Sequence, residues 1–234
     1  MTPENNPEVL SKLAHHLGLS TSLSFTDIYS IDEPDLPAAI PRPCYGLLLV
    51  FPVSESREAL DLDEDAGMQE YDGCGEEEEV IWFKQTIATA CGMIGLLHCL
   101  MNGKARPFIT PDSELDRLLE EITPLKPIPR ANALCDIAAL EVANEIAAAE
   151  GESEIIPANV RVDLHFVCFT KSETGGLWEL DGIRKGPINR GLLRPQEDVL
   201  SPRALDLGVR DFLRRERDFG VDDSRFSLVG LVSS

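Results

Sequence analysis

Helices packed on a mostly antiparallel sheet, an α/β arrangement of the α+β kind, is the fold class this sequence predicts, and three observations predict it. Cys44–Phe51 is an uninterrupted apolar run of strand length, the pattern of a central strand covered on both faces. Val162–Phe169 alternates and is rich in β-branched and aromatic residues. A polar stretch, Lys171–Gly175, then leads into Gly176–Gly182, which closes on the turn pair Asp-Gly, so the two runs read as an antiparallel hairpin. Helical periodicities fall irregularly between the strands, whereas a parallel sheet needs strands and helices in regular alternation.

The remaining elements follow from local pattern. Glu8–Leu19 is helical, with apolar residues at Val9, Leu10, Leu13 and Leu17 and with Gly18 placed to cap its C-terminus. Its adjacent His15 and His16 point to different faces and find no third ligand on one helix. Ser24–Tyr29 is a short strand, and Asp32–Ile40 holds a helical turn stopped by Pro41 and Pro43. Ser54–Glu79 is crowded with Asp and Glu, including Glu76 to Glu79 in a row. It has few large apolar residues to offset its ordering entropy, so it is expected to be a mobile acidic loop with at most a helical turn near Arg57–Leu60. Cys91–Asn102 is an apolar, buried helix closed by Gly103. A helix from Pro111 through Glu121, a proline-rich connector at Thr123–Pro129 and an alanine-rich helix at Ala131–Ala149 come next. Glu150–Asn159 is a loop by its Gly, Ser and Pro content. Arg184–Arg190 is a strand, Leu200–Arg217 a helix with a basic last turn, and Phe226–Val232 a final apolar strand.

Length and composition bound the function. A chain of 234 residues, 43% of them hydrophobic, suits one domain with a full core. The net charge of −20 repels phosphates, which excludes direct nucleic-acid binding and favours a basic partner. There is no run of eighteen apolar residues to span a membrane, and Met1–Pro7 carries no signal-peptide pattern. The six cysteines are therefore expected to be reduced and mostly in the core, in a cytoplasmic or nuclear protein. No His-Glu-x-x-His, Cys-x-x-Cys, phosphate loop or Gly-x-Ser-x-Gly is found, so metal, redox and serine-hydrolase chemistries have no support.

The chemistry-bearing stretch is Gln85–Leu100, a loop of small residues feeding a helix with Cys91 in its first turn. Unpaired N–H groups and the helix dipole favour a thiolate there, and the thiolate is the nucleophile. Ala88, Ala90 and Gly92 leave room for a substrate backbone, and the Gln85 amide, with the Cys91 N–H, can donate to an oxyanion. A cysteine opening an apolar helix is more often a small buried hydrophobe. The hairpin changes that reading, because it brings His165 and Asp181 side by side, and a carboxylate-held imidazole is the partner a nucleophilic thiol needs. His98 is excluded as that partner: seven residues along the helix put it roughly 10 Å from Cys91.

In these residues the chain resembles the small ubiquitin carboxyl-terminal hydrolases, papain-like deubiquitinating cysteine proteases. The matching pieces are Phe83–Ile87, Ala90-Cys91-Gly92, Ile94-Gly95-Leu96, Val162–Phe166, Glu179–Gly182 and Pro187-Ile188-Asn189, with Asn6–Val9, Pro41-Arg42-Pro43 and Arg225-Phe226 in order around them. The resemblance implies one papain-like catalytic domain over 1–234 with a knotted backbone, monomeric and without cofactor or metal. It implies Cys91 as nucleophile, His165 as general acid/base, Asp181 as its orienter and Gln85 as oxyanion donor. Glu8, Asp163, Leu164, Glu150 and Ser153 would contact the substrate. That substrate is ubiquitin or a ubiquitin-like protein, whose tail threads beneath the Glu150–Asn159 crossover loop, so that small adducts and short peptides pass and folded ones do not. Arginines near the ubiquitin C-terminus suit an acidic groove. Two departures stand out: Thr89 replaces the family's usual Asn, and the Lys171–Gly175 loop is one residue longer. The alternatives are a non-catalytic ubiquitin-binding module of the same fold, and a papain-like protease acting on another modifier.

Overall fold

β2 (Cys44–Pro52) is the strand on which the architecture turns. In the computed structural model, which describes residues 6–33, 35–53, 55–87, 90–135, 164–218 and 226–234, it lies inside a six-stranded sheet. The order is β1 (Leu23–Asp27), β6 (Ser227–Ser233), β2, β3 (Leu164–Lys171), β4 (Gly176–Leu180) and β5 (Ile188–Leu192). Every neighbouring pair is antiparallel. The expected double cover of β2 is present, and its side chains divide between two apolar layers with the period of a strand. Leu48 and Val50 join one layer; Leu47, Leu49 and Phe51 join the other. β3 divides the same way, with Phe166 and Cys168 on one face and Val167 and Phe169 on the other.

The first layer is built from α1 (Pro7–Leu17), α4 (Cys91–Leu100) and α5 (Glu114–Ile122). Asn6 caps α1, its side chain accepting from the Glu8 N–H at 2.9 Å, and Gly18 closes the helix in the left-handed conformation at φ 117°. Ser113 caps α5 in the same manner, accepting from the Asp116 N–H at 3.2 Å. α4 is buried along its whole length, and it approaches the sheet closely because Gly95 has no side chain: a Cβ there would lie 2.8 Å from Leu48 Cδ1 and 3.1 Å from Phe166 Cβ. The Cys99 and Cys168 sulfurs meet 3.3 Å apart across that contact, and both are free thiols. The second layer is α7 (Pro202–Leu207) and α8 (Val209–Asp218). One helix was expected over Leu200–Arg217. It divides at Gly208, where a Cβ would come within 3.0 Å of the Phe169 ring. α2 (Asp35–Ala38) is the expected turn, and α6 (Pro127–Cys135) begins inside the expected connector because proline is well suited to a helix's first position.

The acidic stretch is the main correction. Residues 55–65 form a helix, α3 (Glu55–Asp65), and not a mobile loop. Three of its carboxylates, Asp61, Glu64 and Asp65, are paired with arginines, most of them from far along the chain, while Glu58 and Asp63 stay exposed as composition implied. Arg184 donates to Asp61 at 3.1 Å and to Asp65 at 2.9 and 2.7 Å. Arg190 and Arg215 reach Glu64 at 2.6 and 2.8 Å, and Arg57 donates to Asp61 at 3.0 Å. Part of the glutamate run is also engaged: Glu78 accepts from Tyr71 at 2.9 Å and Glu79 from the Trp178 indole at 3.2 Å. The strand expected at Arg184–Arg190 starts only at Ile188, because the residues before it form the turn gripped by α3.

Among the described residues no helix is long and apolar enough to cross a membrane, and no group of three or more His, Cys, Asp or Glu is placed to hold a metal ion. Thr89, the Glu150–Asn159 loop with Glu150 and Ser153, and Asp163 lie outside the described residues.

Candidate active site

Cys91 is the first residue of α4, preceded by Ala90, which offers no side-chain cap. Ala90 thus leaves the first-turn N–H groups without a capping side chain, their partial positive charge directed at this end of the helix. The residue is buried, and its sulfur lies 3.5 Å from the Leu164 carbonyl at the start of β3. α4's close approach to the sheet thus carries the Cys91 thiol to the strand that bears His165.

His165 Nε2 donates to Asp181 Oδ1 at 2.7 Å. The carboxylate accepts only, so the proton of that bond belongs to the imidazole and Nδ1 is left facing the thiol. The hairpin produces this pairing as expected: Leu180, the last residue of β4, stands opposite Cys168, and Asp181 follows directly. Asp181 Oδ1 also accepts the Ile183 N–H at 3.1 Å. Behind the imidazole, Phe51, its register partner on β2, packs edge-on at 5.7 Å between ring centres.

Burial opposes charging His165, but the Asp181 charge and hydrogen bond, with a further hydrogen bond to Cys91, outweigh it and push the pKa up to about 10. Burial also opposes charging Asp181, and the imidazolium and the Ile183 N–H reverse this and lower its pKa. The arrangement favours the imidazolium in a mostly dry site, so a proton given up by the neighbouring thiol is held on the ring.

Gln85 joins the site through its backbone, its N–H donating to the Gly182 carbonyl at 2.8 Å. Gly182 must be small for this, because a Cβ would sit 3.0 Å from Gln85 Cβ. The segment before the nucleophile is thereby tied to the turn that carries Asp181. Two more bonds reinforce the tie: the Trp82 indole donates to the Asp181 carbonyl at 2.9 Å, and Lys84 donates to the Arg184 carbonyl at 2.8 Å. Of the residues expected to meet substrate, Leu164 flanks the thiol with its side chain exposed, while Glu8 is exposed in the first turn of α1 and is not part of this cluster.

His98 is a core residue, as expected. It is fully buried, and its Nε2 accepts the Phe83 N–H at 3.0 Å, so the ring is neutral with its proton on Nδ1. Burial pushes its pKa down to about 3, against the pull of Asp181. An unfolded histidine titrates near 6.5, so this group contributes stability above that pH that is lost as pH falls toward its folded value. Between pH 7 and 5 the loss is about 2 kcal/mol. His98→Gln keeps an acceptor for Phe83 and removes the titration. Urea unfolding at both pH values should show a correspondingly smaller drop in the variant, and an identical drop would mean His98 is not the group responsible.

A model of the family described as "Ubiquitin carboxyl-terminal hydrolase, family 1" matches residues 1–213. The chain belongs to this family. Among its relatives in the family is the ubiquitin carboxyl-terminal hydrolase YUH1 of Saccharomyces cerevisiae, 31% identical over 97% of this chain and 93% of that one. The ubiquitin carboxyl-terminal hydrolase isozyme L1 of Homo sapiens is 32% identical over 99% and 97%. In fold the chain is similar to the Trichinella spiralis UCH37 catalytic domain, solved bound to ubiquitin vinyl methyl ester, with a TM-score of 0.72, 18% identity, and coverage of 100% of this chain and 95% of that one. Cys91, His165 and Asp181 are all buried, with His165 bonded to Asp181 on one side and meeting the Cys91 thiol on the other. What sequence reasoning missed is the set of groups that grips the Asp181 turn, above all Asp65 and Arg184. Their only sequence signal was a surplus of acid in one stretch and arginines in another.

Proposed function

We propose that this protein hydrolyses ester, thioester, amide or peptide bonds at the C-terminal glycine of ubiquitin, releasing small adducts and short peptides. The observation that carries the reading is His165 placed between the Cys91 thiol and the Asp181 carboxylate in a chain of the ubiquitin carboxyl-terminal hydrolase family. His165 takes the thiol proton at Nδ1, and the thiolate attacks the glycine carbonyl. The oxyanion is held by the Cys91 N–H and the Gln85 amide. His165 then protonates the leaving group, and water, deprotonated by the same imidazole, cleaves the thioester. Asp181 keeps the ring in its tautomer and stabilises its charge throughout.

A fluorogenic amide on the ubiquitin C-terminus tests the reading, with the same amide on a ubiquitin-like modifier as comparison. Turnover of the ubiquitin substrate supports it. Binding without turnover would make the chain a recognition module, and preferential turnover of the modifier would reassign the substrate. Gln85→Ala should lower kcat by roughly 10²–10³-fold, the effect of losing one oxyanion donor, with little change in KM. An unchanged kcat would leave Gln85 a packing residue.

A further inference from the structure

Asp181 works only if its carboxylate stands where His165 Nε2 can reach it, and the turn it opens is short and at the edge of the sheet's end. One side of that turn is held by the segment leading to the nucleophile, through Trp82, Lys84 and Gln85. The other side is held by α3, whose Asp61 and Glu64 meet Arg184 at 3.1 and 3.0 Å and whose last residue, Asp65, grips both Arg184 and Lys185. Asp65 accepts Arg184 Nε and Nη2 on one carboxylate oxygen, at 2.9 and 2.7 Å, and the Lys185 backbone N–H on the other, at 3.1 Å. Its carbonyl accepts Lys185 Nζ at 2.8 Å. Asp65 and Arg184 are both buried, so the bonds are charge-assisted and poorly screened.

We propose that Asp65 is a positioning residue of the reaction, acting through Asp181 by clamping Arg184 and Lys185. A fixed turn keeps Asp181 Oδ1 at hydrogen-bond distance from the imidazole; a loosened one lets the carboxylate drift, and displacements near 1 Å carry large losses in rate. The role has a specific signature. Asp181 is what raises the His165 pKa, so weakening the clamp lowers that pKa and moves the basic limb of the pH profile down. The groups around the imidazole that set this limb are Asp181, Cys91 and the uncharged Phe51 ring, with Arg57 and Asp61 acting on Asp181. Those around Asp65 are Arg184 and Lys185, with Asp61 and Glu64 sharing Arg184.

The inference rests on the role given to Asp181 above, and the experiment separates the two. Asp65→Asn keeps the shape and removes the charge. In the full chain, with the ubiquitin amide as substrate, kcat should fall about tenfold with KM within about twofold, and the basic limb of kcat/KM should move to lower pH. In an Asp181→Asn background the same change should have less than about a twofold effect, because the residue it acts through is already disabled. Arg184→Lys keeps the cation but loses the forked grip, should follow the same pattern, and decides the matter if Asp65→Asn does not fold. A tenfold loss that persists in the Asp181→Asn background overturns the clamp, as does a wild-type kcat in a folded variant. A wild-type kcat for Asp181→Asn alone overturns the role of Asp181, and the inference with it.

Discussion

Cys91→Ala should reduce turnover of a ubiquitin C-terminal amide by about 10⁶-fold, the loss seen when a covalent nucleophile is removed from an otherwise intact triad. The substitution deletes one sulfur from the start of α4 and leaves in place the close contact at Gly95 that seats the helix on the sheet. The fold should therefore survive, and ubiquitin should bind the variant with an affinity within a few-fold of wild type, because recognition is spread over a surface far larger than one side chain. Single-turnover kinetics and a binding isotherm on the same preparation check both halves. A Cys91→Ala protein that still cleaves would remove the nucleophile from Cys91, and one that loses binding as well would mean the sulfur helps shape the recognition surface.

His165→Ala should be nearly as damaging, at about 10⁴-fold or more, because one imidazole both accepts the thiol proton and delivers it to the leaving group. Asp181→Asn should fall short of it if Asp181 only orients the ring, since an amide oxygen can still accept the Nε2–H. The two variants also differ in pH behaviour. The His165 pKa is raised to about 10 by Asp181 and Cys91, from near 6.5 in the unfolded chain. The stabilising pair is thus fully formed below the unfolded value and is lost as pH rises through the folded one. The carboxylate's contribution disappears in Asp181→Asn, so the basic limb of its kcat/KM profile should fall toward neutral pH. Equal rate losses in the two variants would give Asp181 a direct part in the chemistry beyond orienting the ring.

The juxtaposition of Cys91, His165 and Asp181 was legible in the sequence because each of the three sits on a strong local pattern. Cys91 marks the change from a small-residue loop to an apolar helix, and a tight hairpin forces His165 and Asp181 together whatever the rest of the chain does. The double cover of β2 was legible for a similar reason, since a run without polar residues has no solvent face. α3 was not. Its residues have little reason to order on their own, and what orders them arrives more than a hundred residues later as Arg184, Arg190 and Arg215. Composition registers such a segment as charged; only tertiary structure shows that its charges are paired. The break at Gly208 has no signal in the helical period, which continues through it; the backbone there leaves helical values at φ −105° and ψ −99°, and Phe169 packs too close for a side chain.

The place of β6 bears on how the protein is made. The last strand of the chain is not at an edge; it lies between β1 and β2, with Leu23 opposite Ser233 and Leu48 opposite Val229. Among the described residues, until Ser227–Ser233 leaves the ribosome the first strand has no sheet neighbour and the most apolar strand of the sheet has an open side. The catalytic half, β2 to β5 with α4, can collapse earlier, but the domain completes only after translation of its final residues, a non-local and therefore slow closure. A nascent chain stalled before Ser227 presents a bare apolar edge, the kind of template on which chains aggregate and which chaperones shield.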